Sequence, residues 1–172
     1  MNAEASAIFP GKRGWTLGAM ARVALACPAV LLELVRSRFA LASIGPADIA
    51  ALNRAAEASA SGLQMDDDRP GFIAYVLPRV AARLPWRSDC LIQAMAAQRW
   101  LQRSGIATRI VIGVDQPKDG PFVSHAWLEY RGERLIGGDI ARYQVILGDE
   151  IEPPDGLREP ARPAGVQDRT KN

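Results

Sequence analysis

The hydrophobic and polar positions of this chain repeat at helical spacing through the first hundred residues and alternate like strands after that. From Trp15 to Phe39 the chain is largely apolar, and residues 46–59 carry a thinner apolar stripe. Residues 70–83 and 91–103 again place apolar side chains at three-to-four-residue intervals. Each segment predicts helix; the proline inside the first one predicts either a kinked helix or two helices.

Short, β-branched and alternating segments follow the last predicted helix. Residues 108–114 predict one strand, and residues 125–130 predict a second. A turn at Arg131-Gly132 then leads to a returning strand over residues 133–136, and residues 143–147 predict a further strand. The order of elements predicts an α+β fold, with N-terminal helices packed on a small antiparallel sheet.

The ends of the chain differ from its middle in composition. Residues 1–14 are small and polar, and residues 151–172 are rich in proline and scattered charge, so both ends are predicted to be disordered. Between them we distinguish a helical N-terminal region, residues 15–69, from a core of residues 70–150. The chain of 172 residues is long enough to bury a hydrophobic core.

Charge and hydropathy narrow the functional classes. A net charge of +2 does not argue for a nucleic-acid partner. The longest uncharged run, residues 23–32, is far shorter than the roughly 20 residues that span a bilayer, and nothing marks secretion, so a cytoplasmic protein is expected. Peripheral membrane contact or partner docking is a secondary interpretation of the apolar segment with its arginines, Arg22, Arg36 and Arg38.

No metal or cofactor is expected. The acidic run from Asp66 to Asp68 has no nearby His or Cys and lacks the spacing of a calcium loop, so it is interpreted as a solvated cluster that caps the next helix. No phosphate-binding loop is present. The two cysteines, Cys27 and Cys90, are interpreted as free thiols.

Cys90 is predicted to lie in the first turn of a helix. Ser88 is the expected N-cap, and Asp89 is a favoured first-turn residue. The unpaired N–H groups and the positive end of the helix dipole favour a thiolate there, and a thiolate is the attacking species. The same N–H groups can receive the oxyanion of a tetrahedral intermediate.

The only histidine of the chain, His125, falls on a predicted strand, where it shares a face with Trp127 and Glu129. A neutral imidazole near the sulfur can take its proton and later return it to a leaving amine. Asp139 is the candidate that orients the imidazole, with Glu129 and Asp149 as alternatives. A lone cysteine or histidine is usually structural, but the pair on a helix and a strand favours thiol catalysis.

Two tryptophans are candidates for substrate contact. Trp86 lies four residues before Cys90, and Trp127 lies two residues after His125. Either ring can wall a substrate groove, and packing in the core is the alternative role for Trp86.

Three stretches together resemble a known family. Residues 84–91 (Leu-Pro-Trp leading to Cys-Leu), residues 103–114 and residues 121–129 (with His-Ala-Trp-Leu-Glu) resemble the transglutaminase-like cysteine peptidase of lasso peptide biosynthesis, the B protein. The resemblance covers about residues 70–147. It implies a transglutaminase-like, papain-like core, with Cys90 as nucleophile, His125 as base and then acid, and Asp139 as orienter.

The resemblance also implies a substrate and partners. The substrate would be a ribosomally made lasso precursor peptide whose leader is removed, and an asparagine-synthetase-like cyclase would then close the macrolactam. Some B proteins carry a small β-containing leader-recognition module, whereas residues 1–69 here are predicted to be helical, so recognition is expected on a separate protein. Two alternatives stay open: an acyltransferase or amidase using the same residues, and a non-catalytic subunit that only binds the precursor.

Overall fold

Four helices precede four strands in the computed structural model, which describes residues 17–60, 68–117 and 120–148. The helices are α1 (Leu17–Leu41), α2 (Pro46–Ala58), α3 (Arg69–Ala81) and α4 (Cys90–Arg103). The strands are β1 (Arg109–Asp115), β2 (Val123–Tyr130), β3 (Glu133–Ile136) and β4 (Gln144–Leu147).

The strands form one antiparallel sheet in the order β3-β2-β1-β4. In its register Gly113 of β1 lies opposite His125 of β2. The predicted α+β fold, with helices on a small antiparallel sheet, is confirmed. The short β3 pairs with β2 only from Leu128 to Tyr130, so the edge of β2 before Leu128 is not covered by β3.

Most predicted elements lie where the pattern put them, with two local differences. Helix α1 runs unbroken through Pro28, so the apolar segment forms one helix instead of two. Asp68 occupies the N-cap position of α3 but makes no side-chain cap; its carboxylate accepts two hydrogen bonds from Arg22. The two segments predicted to be disordered, residues 1–14 and 151–172, lie outside the described residues.

The described residues also bear on the membrane and metal predictions. Within the described ranges, no helix combines the length and the apolar character needed to cross a bilayer. The described residues also contain no group of three or more His, Cys, Asp or Glu side chains placed to hold a metal ion. Asp66 and Asp67 fall outside those ranges.

The hydrophobic core lies between the helices and one face of the sheet. Helix α4 packs against α1, α3 and β2, so it is the central helix of the fold. Its core side chains include Ile92, Met95 and Leu101, all fully buried. Because the cysteine helix is enclosed on several sides, its N-terminus has a fixed position relative to the sheet.

A buried carboxylate ties α1 to α4. Glu33 is only 1% exposed, and its Oε1 accepts hydrogen bonds from Arg103 at 2.6 Å and from Arg36 at 3.1 Å. A buried charge is tolerated when it is paired in this way, so the contact fixes how the two helices align.

A buried amide network fixes β1 against the helices. The side chain of Asn53 in α2 accepts from the Ile110 N–H at 2.8 Å and donates to the Ile110 carbonyl at 2.9 Å, as a neighbouring strand would. Gln98 of α4 donates to Asn53 Oδ1 and to the Thr108 carbonyl. Buried polar groups need such partners, and these tie β1, and through it β2, to α2 and α4.

Candidate active site

Cys90 is the first residue of α4, as the sequence predicted for the first turn. The N-cap is Asp89, with φ −63° and ψ 161°, one residue later than the predicted cap at Ser88. Asp89 makes no side-chain cap, and the first intrahelical bond runs from the Gln93 N–H to the Asp89 carbonyl. The N–H groups of Cys90, Leu91 and Ile92 therefore have no acceptor inside the helix, and they point out of its N-terminal end, where Cys90 lies.

The sulfur of Cys90 receives a hydrogen bond from the sheet. The backbone N–H of Ala126 donates to Sγ at 3.4 Å, and Ala126 immediately follows His125. This N–H has no partner in β3, because β3 pairs with β2 only from Leu128 onward. The contact holds the sulfur against β2, beside the residue that follows His125.

The imidazole of His125 is held between a backbone carbonyl and two rings. Nε2 lies 2.5 Å from the Gly137 carbonyl oxygen. The ring centroid of Tyr143 lies 5.0 Å away, and Trp127 stacks at 6.3 Å. Because a carbonyl oxygen can only accept, Nε2 carries the hydrogen, so Nδ1 of the neutral ring is the nitrogen that can take a proton.

Cys90 and His125 line one cavity of about 390 Å³, together with Gln93, Gly137 and Gly138. A larger groove of about 940 Å³ shares Cys90 and Gln93 with this cavity and extends the other way, along the loop between α3 and α4. The two spaces meet at the thiol. Cys90 therefore borders both spaces in which a substrate can lie.

The predicted orienter, Asp139, is placed differently from a triad carboxylate. Asp139 is exposed, and its Oδ1 accepts from the Ala141 N–H at 3.1 Å, which closes a local turn. The His125 Nε2 donates instead to the Gly137 carbonyl oxygen. Of the two alternatives, Glu129 accepts from the Trp127 indole at 2.7 Å, and Asp149 lies outside the described residues.

The role of Gly137 was not predicted from the sequence, although the Gly-Gly pair before Asp139 was visible there. Gly137 has φ +132°, and a Cβ at this position would overlap the Cβ of Trp127. Only glycine fits so close to β2 with this backbone conformation. The pair therefore marks the point where the chain brings a carbonyl to the imidazole.

The two tryptophans have different positions. Trp86 lines the larger groove, where its Nε1 and the Ser88 hydroxyl are enclosed and have no hydrogen-bond partner among the described residues. Trp127, also predicted to contact substrate, is only 2% exposed and lines neither cavity. Its ring fills the space where a Gly113 side chain would be, 2.9 Å from that Cβ position, so it supports the His125 ring from within the fold.

The family of the chain follows from a comparison with known proteins. The profile of the transglutaminase-like superfamily matches residues 31–148, about two thirds of the chain. The chain belongs to the transglutaminase-like superfamily. The match includes Cys90, His125 and Gly137, and this superfamily usually includes thiol peptidases and acyltransferases. None of the curated proteins and none of the solved structures compared with the chain matches it.

Substituting Asp139 separates two roles for its side chain. Asp139→Asn keeps an oxygen for the Ala141 N–H and loses only the charge, so we expect activity within about threefold of the native protein. Asp139→Ala frees the turn that carries the Gly137 carbonyl, and we expect kcat to fall by up to about tenfold, the equivalent of one hydrogen bond. The measurement is kcat and KM for both variants.

A different outcome would give Asp139 the role of a triad member. A loss of about 10⁴-fold in the Asp139→Asn variant would mean that the carboxylate itself contacts the imidazole during the reaction.

Proposed function

We propose that this member of the superfamily is a cysteine peptidase that removes the leader from a ribosomally made lasso precursor peptide. What supports the proposal is one contact above all: the Cys90 sulfur, at the N-terminus of α4, accepts a hydrogen bond from the residue next to the only histidine. His125 lines the same cavity as this sulfur, and its Nε2 donates to the Gly137 carbonyl, which leaves Nδ1 free to accept a proton.

The chemistry begins with proton transfer from the Cys90 sulfur to Nδ1 of His125. The thiolate attacks the scissile carbonyl, and the carbonyl oxygen becomes an oxyanion that the free N–H groups of the α4 N-terminus can receive. His125 then gives its proton to the leaving nitrogen, the C–N bond breaks, and the N-terminal fragment remains as a thioester on Cys90. Water, deprotonated by His125, hydrolyses the thioester and restores the thiol.

The shape of the site favours a peptide over a small molecule. A peptide crossing the sulfur would place one side in the larger groove and the other in the cavity beside Gly137. A groove of about 940 Å³ is at the upper end of the range for ligand sites.

The partners are part of the proposal and come from the resemblance. In the described N-terminal region, residues 17–60, the elements are the helices α1 and α2, with no strand that could form a leader-recognition module. Recognition of the leader by a separate protein is part of the proposal. The released core peptide would pass to an asparagine-synthetase-like cyclase that uses its new amino terminus.

Trapping the acyl-enzyme tests the reaction directly. The protein is mixed with the precursor and the recognition protein, quenched in acid and weighed intact by mass spectrometry. We expect a Cys90 adduct with the mass of the leader, which hydroxylamine releases as a hydroxamate. Cys27→Ser, which changes the other thiol, should give the same adduct, whereas Cys90→Ala should give none.

The same reaction distinguishes the other activities. If added primary amine converts the leader to its amide at the expense of the acid, the protein is an acyltransferase, and the hydrolase proposal is wrong. Full cleavage without the recognition protein would contradict the dependence on a partner while leaving the chemistry intact.

A further inference from the structure

Helix α1 is apolar on two opposite faces, and the described residues cover only one of them. The inward face carries buried side chains, among them Val30 and Leu34. The outward face carries large apolar side chains at near-heptad spacing. Leu25 is 80% exposed and Phe39 is 76% exposed; Leu32 lies between them, and Leu17 lies one repeat before Leu25. A helix that is hydrophobic all round is normally buried all round, so something outside the described residues is expected to cover the outer face.

Three exposed arginines of α1 lie beside this outer face. By their helical positions Arg22 and Arg36 flank one side of the apolar row, and Arg38 flanks the other. Arg22 is paired with Asp68, and Arg36 is paired with the buried Glu33. Arg38 donates to the Arg87 carbonyl and has no carboxylate partner among the described residues, so its charge borders the apolar row.

The adjoining surface of α3 adds two more positive charges. A groove of about 540 Å³ between α1 and α3 is lined by apolar side chains, including Met20 and Val23, together with Arg79 and Arg83. The guanidinium groups of these two arginines donate to backbone carbonyls, and neither has a carboxylate partner among the described residues. Their charge is available to an anionic partner.

We propose that the outer face of α1 docks on an anionic lipid surface, with its leucines and Phe39 inserted at headgroup depth and the arginines on the lipid phosphates. The apolar row runs from Leu17 to Phe39, about 33 Å along the helix axis, which fits a flat and extended partner better than a compact one. The complementary charge of such a partner is negative. This inference does not depend on the proposed peptidase activity.

A second copy of the chain is a poorer occupant. A twofold dimer through α1 would bury Arg38 of both copies at the interface, without an exposed carboxylate on either α1 to pair with it. Burying these unpaired charges opposes association, whereas lipid phosphates neutralise them.

Vesicle flotation of the full chain tests the proposal. We expect at least about tenfold more protein to float with phosphatidylcholine vesicles containing phosphatidylglycerol than with phosphatidylcholine alone, and high salt to reduce the difference. The double variant Leu25→Glu with Leu32→Glu should lose this binding. The matched control Ile146→Glu, also an exposed apolar residue but on β4, should keep it.

Three results would overturn the lipid assignment. The first is no flotation with anionic vesicles, or equal flotation with neutral ones. The second is a dimer in light scattering that the double variant converts to a monomer, which would assign the face to a second copy. The third is a vesicle-free cleavage defect in the double variant that excess recognition protein restores, which would assign the face to that protein. None of these three results changes the acyl-enzyme adduct expected on Cys90, so the proposed function is tested separately.

Discussion

Replacing Cys90 by alanine is expected to lower kcat/KM for precursor cleavage by about 10⁴-fold or more, and His125→Ala by a similar factor. Alanine at position 90 removes the atom that forms the thioester. Alanine at position 125 removes the group that takes the thiol proton and protonates the leaving amine. The measurement is the rate of leader release under single-turnover conditions, with the recognition protein present.

The combined variant is the sharper part of this test. Because the sulfur and the imidazole act in one step, Cys90→Ala together with His125→Ala should be no slower than the worse single variant. Iodoacetamide should also alkylate Cys90 more slowly in His125→Ala than in the native protein, and Cys27→Ala provides the control for the second thiol. Unchanged processing by Cys90→Ala would instead identify a subunit that only binds the precursor.

The sequence predicted the elements well because most of their apolar side chains face one core. The helical period of residues 70–83 and the β-branched alternation of residues 108–114 reflect one-sided burial, and that burial is what the sequence pattern records. The position of Cys90 in a first turn could likewise be predicted, because the residues that precede a helix have their own local preferences.

The contacts of the site were less predictable, since they depend on the main chain of distant segments. A carbonyl such as that of Gly137 carries no side-chain signature, and the acidic Asp139 beside it was the visible candidate. The Asn53–Gln98 network was not predicted for the same reason: both are polar residues within amphipathic helices. Only the tertiary fold shows that Asn53 pairs with the backbone of Ile110 and that Gln98 donates to the Thr108 carbonyl.

Two outcomes, one for a residue and one for a helix, show how faces are misassigned. Trp127 shares the face of His125, as alternation predicted. Gly113 on the neighbouring strand has no side chain, and the Trp127 ring fills the space this leaves, so Trp127 is buried. Helix α1 looked like a core helix with a possible docking face, and the sequence could not tell which side the fold would cover. In both cases the deciding information is the shape of a neighbouring element.

Gly137→Ala is expected to have the largest effect of any substitution that leaves both catalytic side chains in place. The φ of +132° is unfavourable for alanine, and the new Cβ would overlap Trp127. Backbone strain and overpacking together should cost about 2–5 kcal/mol in the free energy of unfolding. The turn can relieve this only by moving the Gly137 carbonyl away from the His125 Nε2, so we expect kcat to fall by at least about tenfold in the folded variant.

Gly138→Ala is the matched control, because Gly138 also has a positive φ, +65°, but a Cβ there meets nothing within 4 Å. It should cost only about 1–2 kcal/mol for the left-handed conformation and leave kcat nearly native. Urea unfolding gives the stability of both variants, and kcat is then compared at a temperature where both are folded. If Gly137→Ala were folded and fully active, the carbonyl contact would not be what holds the imidazole for catalysis, and the carboxylate of Asp139 would regain that role.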